Sequence, residues 1–169
     1  MLKTLYIHGL DSVPKPEKLD ILRQLDLDVS GLHINYRENT DAYRILENYI
    51  AQNNIEFLAG SSFGGMLAYY LAGAFQIPAL LFNPALHFQN VEPELPSEKP
   101  HPQKNLYVVW GAHDQTVTPN QSLQFFKDNI VKAARIVSCH WLAHKIDLQT
   151  FREMSAWAVN SLYEKNKLL

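Results

Sequence analysis

The sequence predicts an α/β fold in which about six mainly parallel strands carry helices on both faces. Three observations predict it. Short apolar, β-prone runs alternate strictly with helix-like runs, and each strand–helix–strand return places two strands in parallel with a helix over the sheet. Hydrophobic residues make up 47% of the 169 residues and charged residues 19%, a balance that supports one buried core. Between one of the strands and the helix after it stands Ala59-Gly60-Ser61-Ser62-Phe63-Gly64-Gly65, a run of small residues suited to a very tight turn.

Taken in order, Leu2 to His8 reads as a strand and Pro16 to Leu25 as a helix with proline in its first turn. Leu27 to Asn35 alternates like a second strand. Asp41 to Asn53 is helical, with Ala42, Ile45, Leu46, Tyr49 and Ile50 on one face. Ile55 to Ala59 is a short buried strand and Phe63 to Ala74 an apolar buried helix. Ala79 to Phe82 is the fourth strand. Five of the nine prolines then fall between Asn83 and Lys104, which makes this stretch an extended loop. Leu106 to Trp110, Pro119 to Asn129, Ala134 to Ser138 and Lys145 to about Lys165 complete the alternation as strand, helix, strand and closing helix. No internal repeat or linker interrupts residues 1–169, so a single domain is expected.

The formal net charge of −2 gives no electrostatic reason to expect nucleic acid or an anionic membrane as partner. No run approaches the ~18 apolar residues of a membrane span. Cys139 is the only cysteine, so no disulfide forms within the chain, and a cytoplasmic location is expected. No signal-peptide pattern is expected either, since Leu5 to Leu10 is too short and interrupted.

The small-residue run matches G-x-S-x-G with Ser62 at its centre, the pattern of a nucleophile elbow. A serine at the apex of a strand-to-helix turn needs small residues two positions before and after it. Gly60 and Gly64 satisfy this for Ser62; the same rule applied to Ser61 would require Phe63 to be small. Serine is a weak nucleophile until a base takes its proton and a carboxylate orients the base. In α/β-hydrolases these follow in the order acid, then histidine, on loops at strand ends. The loop after the fifth strand contains Gly111-Ala112-His113-Asp114, and the loop after the sixth contains Cys139-His140-Trp141-Leu142-Ala143-His144. Asp114 is the expected acid. His144 is the expected base, with His140 as its rival nearer the strand end. Asp147 suits the start of the closing helix better than catalysis. His113 reads as a loop histidine, and the His/Asp spacings match no strong zinc pattern. No metal or cofactor is expected. Backbone amides of Leu10, after the His8-Gly9 turn, and of Phe63 are placed to hold a developing oxyanion.

Together these residues resemble the small single-domain YqiA-like esterases of the α/β-hydrolase superfamily. The resemblance rests on Tyr6-Ile7-His8-Gly9-Leu10-Asp11-Ser12 with Pro14-Lys15, on Gly60 to Gly65, on Asn83-Pro84-Ala85, on Gly111-Ala112-His113-Asp114 with Val117, and on His144. It implies a compact α/β-hydrolase fold with no cap domain, and an ester hydrolase using Ser62, Asp114 and His144. Such proteins place glycine before the histidine; here Ala143 stands there, which keeps His140 open. The loop over residues 83–104 is placed to act as a partial lid, and Tyr36, Phe88 and Trp141 are candidates to line a pocket for a small-molecule ester. The function expected is hydrolysis of a carboxylic ester or thioester. A non-enzymatic binding protein on the same scaffold, or an amidase or peptidase using the same residues, are the alternatives, because fold alone does not fix function.

Overall fold

A computed structural model of the chain describes residues 1–87, 94–96, 105–129 and 134–166. Eleven elements follow one another as β1 (Leu2–Ile7), α1 (Pro16–Arg23), β2 (Leu27–Gly31), α2 (Ala42–Asn53), β3 (Phe57–Ser61), α3 (Phe63–Phe75), β4 (Ala79–Phe82), β5 (Leu106–Gly111), α4 (Pro119–Asp128), β6 (Ala134–Cys139) and α5 (Leu148–Asn166). The strands form one sheet in the order β2-β1-β3-β4-β5-β6, and every pairing is parallel. All the strands therefore end at one edge. Loops from distant parts of the sequence meet there.

Alternate residues of the central strands feed two cores, as the strand period of two requires. Leu5, Leu58, Leu81 and Val108 pack with residues of α2, α3 and α4 on one face. Tyr6, Phe57, Leu80 and Tyr107 pack with α1 and α5 on the other. No cap domain is inserted among the described residues. The proline-rich loop is described only at its start and at 94–96, where Glu94 N–H donates to the Thr40 carbonyl (2.9 Å) and its carboxylate meets Arg44 (3.2 Å). The rest of the expected lid, Phe88 included, lies outside the described residues. Among the described residues no helix is long and apolar enough to cross a membrane.

Among the boundaries that differ from the sequence expectation, three have an identifiable cause. β2 stops at Gly31 rather than Asn35, because its register with β1 ends at the Tyr6–Gly31 pair and Ile34 N–H turns to the His8 ring (3.2 Å). β3 starts at Phe57 rather than Ile55, because Ile55 N–H returns to the Ile50 carbonyl at the end of α2 (3.1 Å). α5 starts at Leu148 rather than Lys145, because Asp147 caps it: its side chain accepts the Thr150 N–H (2.8 Å) and hydroxyl (2.7 Å).

α3 is buried from Phe63 to Gly73 and lies hard against the ends of β1 and β3. A Cβ on Gly64 would overlap the carbonyl oxygens of Ile7 and His8, and one on Gly60 would come within 2.8 Å of the Gly64 carbonyl carbon and 2.9 Å of the Ala68 Cβ. These neighbours are backbone atoms and an alanine Cβ, so no side-chain rotation relieves the overlap. Gly64→Ala is expected to destabilise the fold by at least about 2–3 kcal/mol, read as a lower urea midpoint at unchanged m-value; a midpoint within error of wild type would mean α3 can move away from β1.

Candidate active site

The tight turn predicted at Ser62 is present. Ser62 has φ 54° and ψ −119°, a conformation that costs a non-glycine residue on the order of 1–3 kcal/mol and persists only when its surroundings impose it. They do so through the backbone. Ser62 N–H donates to the Phe82 carbonyl (2.8 Å), while its own carbonyl accepts from Met66 (3.1 Å) and Ala85 (3.0 Å). The side chain is left out of this network. It makes no capping bond to α3; its Oγ lies 3.0 Å from His144 Nε2.

His144 Nδ1 lies 2.8 Å from Asp114 Oδ2. A carboxylate can only accept here, so Nδ1 carries the proton and Nε2 faces Ser62 as an acceptor. Asp114 is buried, and its other oxygen accepts the N–H groups of Thr116 and Val117, both at 2.8 Å. Three hydrogen bonds thus offset the loss of water around the carboxylate. The structure brings Ser62, His144 and Asp114 into one hydrogen-bonded line. His140 is exposed on the same loop and takes no part in it. His113 is also exposed; its N–H donates to the Leu142 carbonyl (3.0 Å). Asp147 is occupied in capping α5.

Ala143 stands where a glycine was to be expected and needs no glycine conformation, since its φ is not positive. A steric demand falls on Gly111 instead, where a Cβ would overlap the Leu142 carbonyl oxygen and lie 2.6 Å from that of Ala143. Leu142 anchors the loop by burying its side chain in the α1/α5 core.

Leu10, Gly9, Ser62 and His144 line one cleft of about 420 Å³. Gly9 lies against the elbow: a Cβ there would stand 3.4 Å from that of Ser62. The loop holding Gly9 and Leu10 is fixed from behind by His8. Ile34 N–H donates to His8 Nε2 (3.2 Å), so Nδ1 holds the proton and donates to the Gly9 carbonyl (2.8 Å). Burial, with a smaller contribution from nearby His33, outweighs the Gly9 bond and lowers the His8 pKa below its ordinary value. Tyr36 is buried here. Its hydroxyl donates to the His8 carbonyl (3.0 Å), and its ring lies 4.8 Å from those of both His8 and Phe63. Burial pushes its phenol well above the ordinary range. Tyr36 therefore supports the loop from behind and does not line the cleft. Trp141 is 64% exposed, with its indole N–H donated to Thr150 (3.0 Å), also outside the cleft. Among the described residues no group of three or more metal-ligating side chains comes together.

Residues 3–138 match the uncharacterised protein family UPF0227, the YqiA-like family. The chain belongs to that family. The match spans the Ser62 and Asp114 segments and stops before His144, so the histidine is placed by geometry alone. No curated protein matches the sequence. Solved structures share the fold at low identity. A member of the α/β superfamily of hydrolases from Xanthomonas campestris pv. campestris is 17% identical, with a TM-score of 0.72 over 95% of this chain and 99% of the other. A monoacylglycerol lipase from Paleococcus ferrophilus is 15% identical, with a TM-score of 0.69 over 93% of each chain. A lidless α/β serine hydrolase from Xanthomonas campestris is 16% identical, with a TM-score of 0.67 over 96% of this chain and 84% of the other. The UPF0227 chain thus has the α/β-hydrolase fold, with no cap domain among the described residues.

One residue at the site enters the sequence reading only within the Asn83-Pro84-Ala85 motif, with no role of its own. Asn83, at φ 43° just past β4, is buried and donates from Nδ2 to the carbonyls of Ala143 and His144 (both 3.0 Å). Its Oδ1 accepts the Gly111 N–H (2.7 Å). One amide therefore ties the His144 loop to the end of β5. The signal available in the sequence is an Asn-Pro pair directly after a buried strand, which reads as a turn.

Two outcomes follow. Asn83→Ala strands a buried N–H and two carbonyls, so it is expected to lower unfolding free energy by about 1–3 kcal/mol, measured in urea. For His8, the folded pKa lies below the unfolded value of 6.5. The unfolded chain therefore takes up the proton first, and the stability that neutral His8 contributes is present above that pH and is lost as pH falls through the folded pKa. His8→Gln is expected to flatten the decline of unfolding free energy between about pH 7 and 5; an unchanged slope would remove His8 as its source.

Proposed function

We propose that the protein is a serine hydrolase cleaving carboxylic esters or thioesters through an acyl-Ser62 intermediate. The observation that carries this reading is the continuous line from Ser62 Oγ to His144 Nε2 (3.0 Å) and from His144 Nδ1 to Asp114 Oδ2 (2.8 Å), at a strained elbow facing a cleft. His144 Nε2 takes the Ser62 proton as Oγ bonds to the acyl carbon, and the carbonyl π pair moves onto oxygen. The amides of Leu10 and Phe63 hold that oxyanion. When it collapses, the bond to the leaving oxygen or sulfur breaks, and the leaving group takes the proton from His144. A water then gives its proton to His144 and attacks the acyl carbon. Collapse of the second oxyanion releases the acid, and Ser62 regains its proton. Asp114 keeps the imidazole in the tautomer this requires and stabilises it when charged.

A cytoplasmic setting is part of this reading, on the ground that the sequence carries one cysteine and so forms no disulfide within itself. The lone Cys139 is buried, and burial raises its thiol pKa, which leaves it unreactive.

The wild-type protein is expected to react covalently with a fluorophosphonate and to hydrolyse 4-nitrophenyl esters. Ser62→Ala should abolish both. Asp114→Asn, which permits the wrong imidazole tautomer, should lower kcat by roughly 10³–10⁴-fold. A folded wild-type protein that neither labels nor turns over any ester would overturn the reading.

A further inference from the structure

The hydrolytic steps leave one wall of the Ser62 cleft unused. It is built by the start of α1 and the segment after His144. Lys18 extends from α1 into this wall and donates from Nζ to the Tyr6 hydroxyl (3.3 Å); that hydroxyl is 3.1 Å from the Oγ of Ser61, the residue beside Ser62. Phe151 lies below the ammonium, 4.9 Å from it to the ring centroid. No carboxylate among the described residues stands within ion-pair distance of Lys18. Lys15 and Lys145 line the same cleft.

A partly buried ammonium with no counter-ion is costly. The cost appears in its titration: burial, with Lys15 nearby, brings Lys18 down to about 8. Only one of its three N–H donors is committed to Tyr6, so two remain to meet an incoming acceptor. Two carboxylates also line the cleft, Glu17 and Asp147. Asp147 accepts two hydrogen bonds from Thr150 at the α5 start. Glu17 sits in the first turn of α1, where the helix dipole favours it. Neither makes an ion pair with a lysine. Leu10, Val13 and Ile146 supply apolar surface between the charges.

We propose that this wall is an oxyanion-binding subsite, and that the substrate is an ester or thioester carrying a carboxylate-type anion near its scissile bond, held by Lys18 with Lys15 and Lys145. The assignment rests on the serine-hydrolase reading of the same cleft. A compact ammonium suits a charged oxygen group, and Lys18 gains the counter-ion that the described residues do not provide. The Tyr6 hydroxyl, bonded to Lys18 and to Ser61, holds the ammonium in this wall.

The test compares matched esters. On the acyl side, the 4-nitrophenyl half-ester of adipate is set against 4-nitrophenyl hexanoate. On the leaving-group side, 4-carboxyphenyl butyrate is set against 4-carbamoylphenyl butyrate. In one pair or the other, kcat/KM for the anionic member is expected to exceed that of its neutral partner by about tenfold, the scale of one charge-assisted hydrogen bond after desolvation. That ratio should shrink as salt is added. Lys18→Met, which keeps the stem over Phe151, should bring the ratio close to one. Lys145→Gln and Lys15→Gln, at exposed positions, should each narrow it, and they carry the test if Lys18→Met does not fold. Turnover of the neutral esters with no preference for an anion in either pair would overturn the subsite and leave the hydrolase standing. A preference untouched by the lysine variants would overturn it too. Absence of both turnover and fluorophosphonate labelling would remove the hydrolase reading, and the subsite with it.

Discussion

The rest of the site depends on how closely α3 approaches the ends of β1 and β3. Gly60 and Gly64 leave no side chain between the helix and the strands, and Gly64 lies directly against the Ile7 and His8 carbonyls. Ser62 is thereby driven to positive φ, and its Oγ stands clear of the helix it begins. The strain costs about 1–3 kcal/mol. Against it stands burial of Phe63, Met66, Leu67 and Leu71 along α3, each contributing roughly 1.5–3 kcal/mol. Packing outweighs strain several-fold, so the elbow holds its shape without a ligand. The same approach sets Gly9 against Ser62, which brings the first loop to the elbow.

The parallel sheet supplies the second condition. Asp114 follows β5, His144 follows β6, and the two strands are neighbours paired up to Gly111 and Cys139. A separation of thirty residues becomes one hydrogen bond. β4 lies on the other side of β5, and Asn83 at its end reaches across to the His144 loop. The Gly111 N–H and the Ala143 and His144 carbonyls are thus met by one side chain. Asp114 follows the same rule, with both oxygens occupied. Buried polar groups at this edge are paired, so the line to Ser62 has little freedom to rearrange.

Much of this was legible in the sequence because it follows from short-range requirements. Small residues two positions either side of Ser62 are a steric demand that a pattern can express, and strand–helix alternation fixes which loops share an edge. Of the element limits that differed, the end of β2 is decided by a partner far along the chain, the His8 ring, whereas the late starts of β3 and α5 come from contacts within five residues, Ile55 with Ile50 and Asp147 with Thr150. Tyr36 has the character of a pocket aromatic, yet its hydroxyl finds a carbonyl behind the first loop, a choice between two buried environments that composition does not express. Asn83 reads as a turn residue because its three hydrogen bonds go to segments twenty-eight to sixty-one residues away. His144 and His140 have the same residue type and the same loop; only the carbonyl contacts from Asn83 and the packing of Leu142 decide which ring faces Asp114.

Ser61 and Ser62 show how one strand end serves two purposes. Successive residues of a strand face opposite sides of the sheet, so the Ser61 hydroxyl falls on the α1/α5 side, against Tyr6, and cannot share the His144 base. Burial raises the Tyr6 phenol to about 12, so it remains a neutral hydroxyl at physiological pH, able to accept from Lys18 while donating to Ser61. That side of the elbow therefore holds a cation and two hydroxyls with no carboxylate in ion-pair contact among the described residues, while on the Ser62 side the neutral His144 base is bonded to the Asp114 carboxylate. The two sides differ in the charge they lack. Chemistry at Ser62 needs no external ion, whereas the subsite proposed at Lys18 gains an ion-pair partner when an anion enters the cleft.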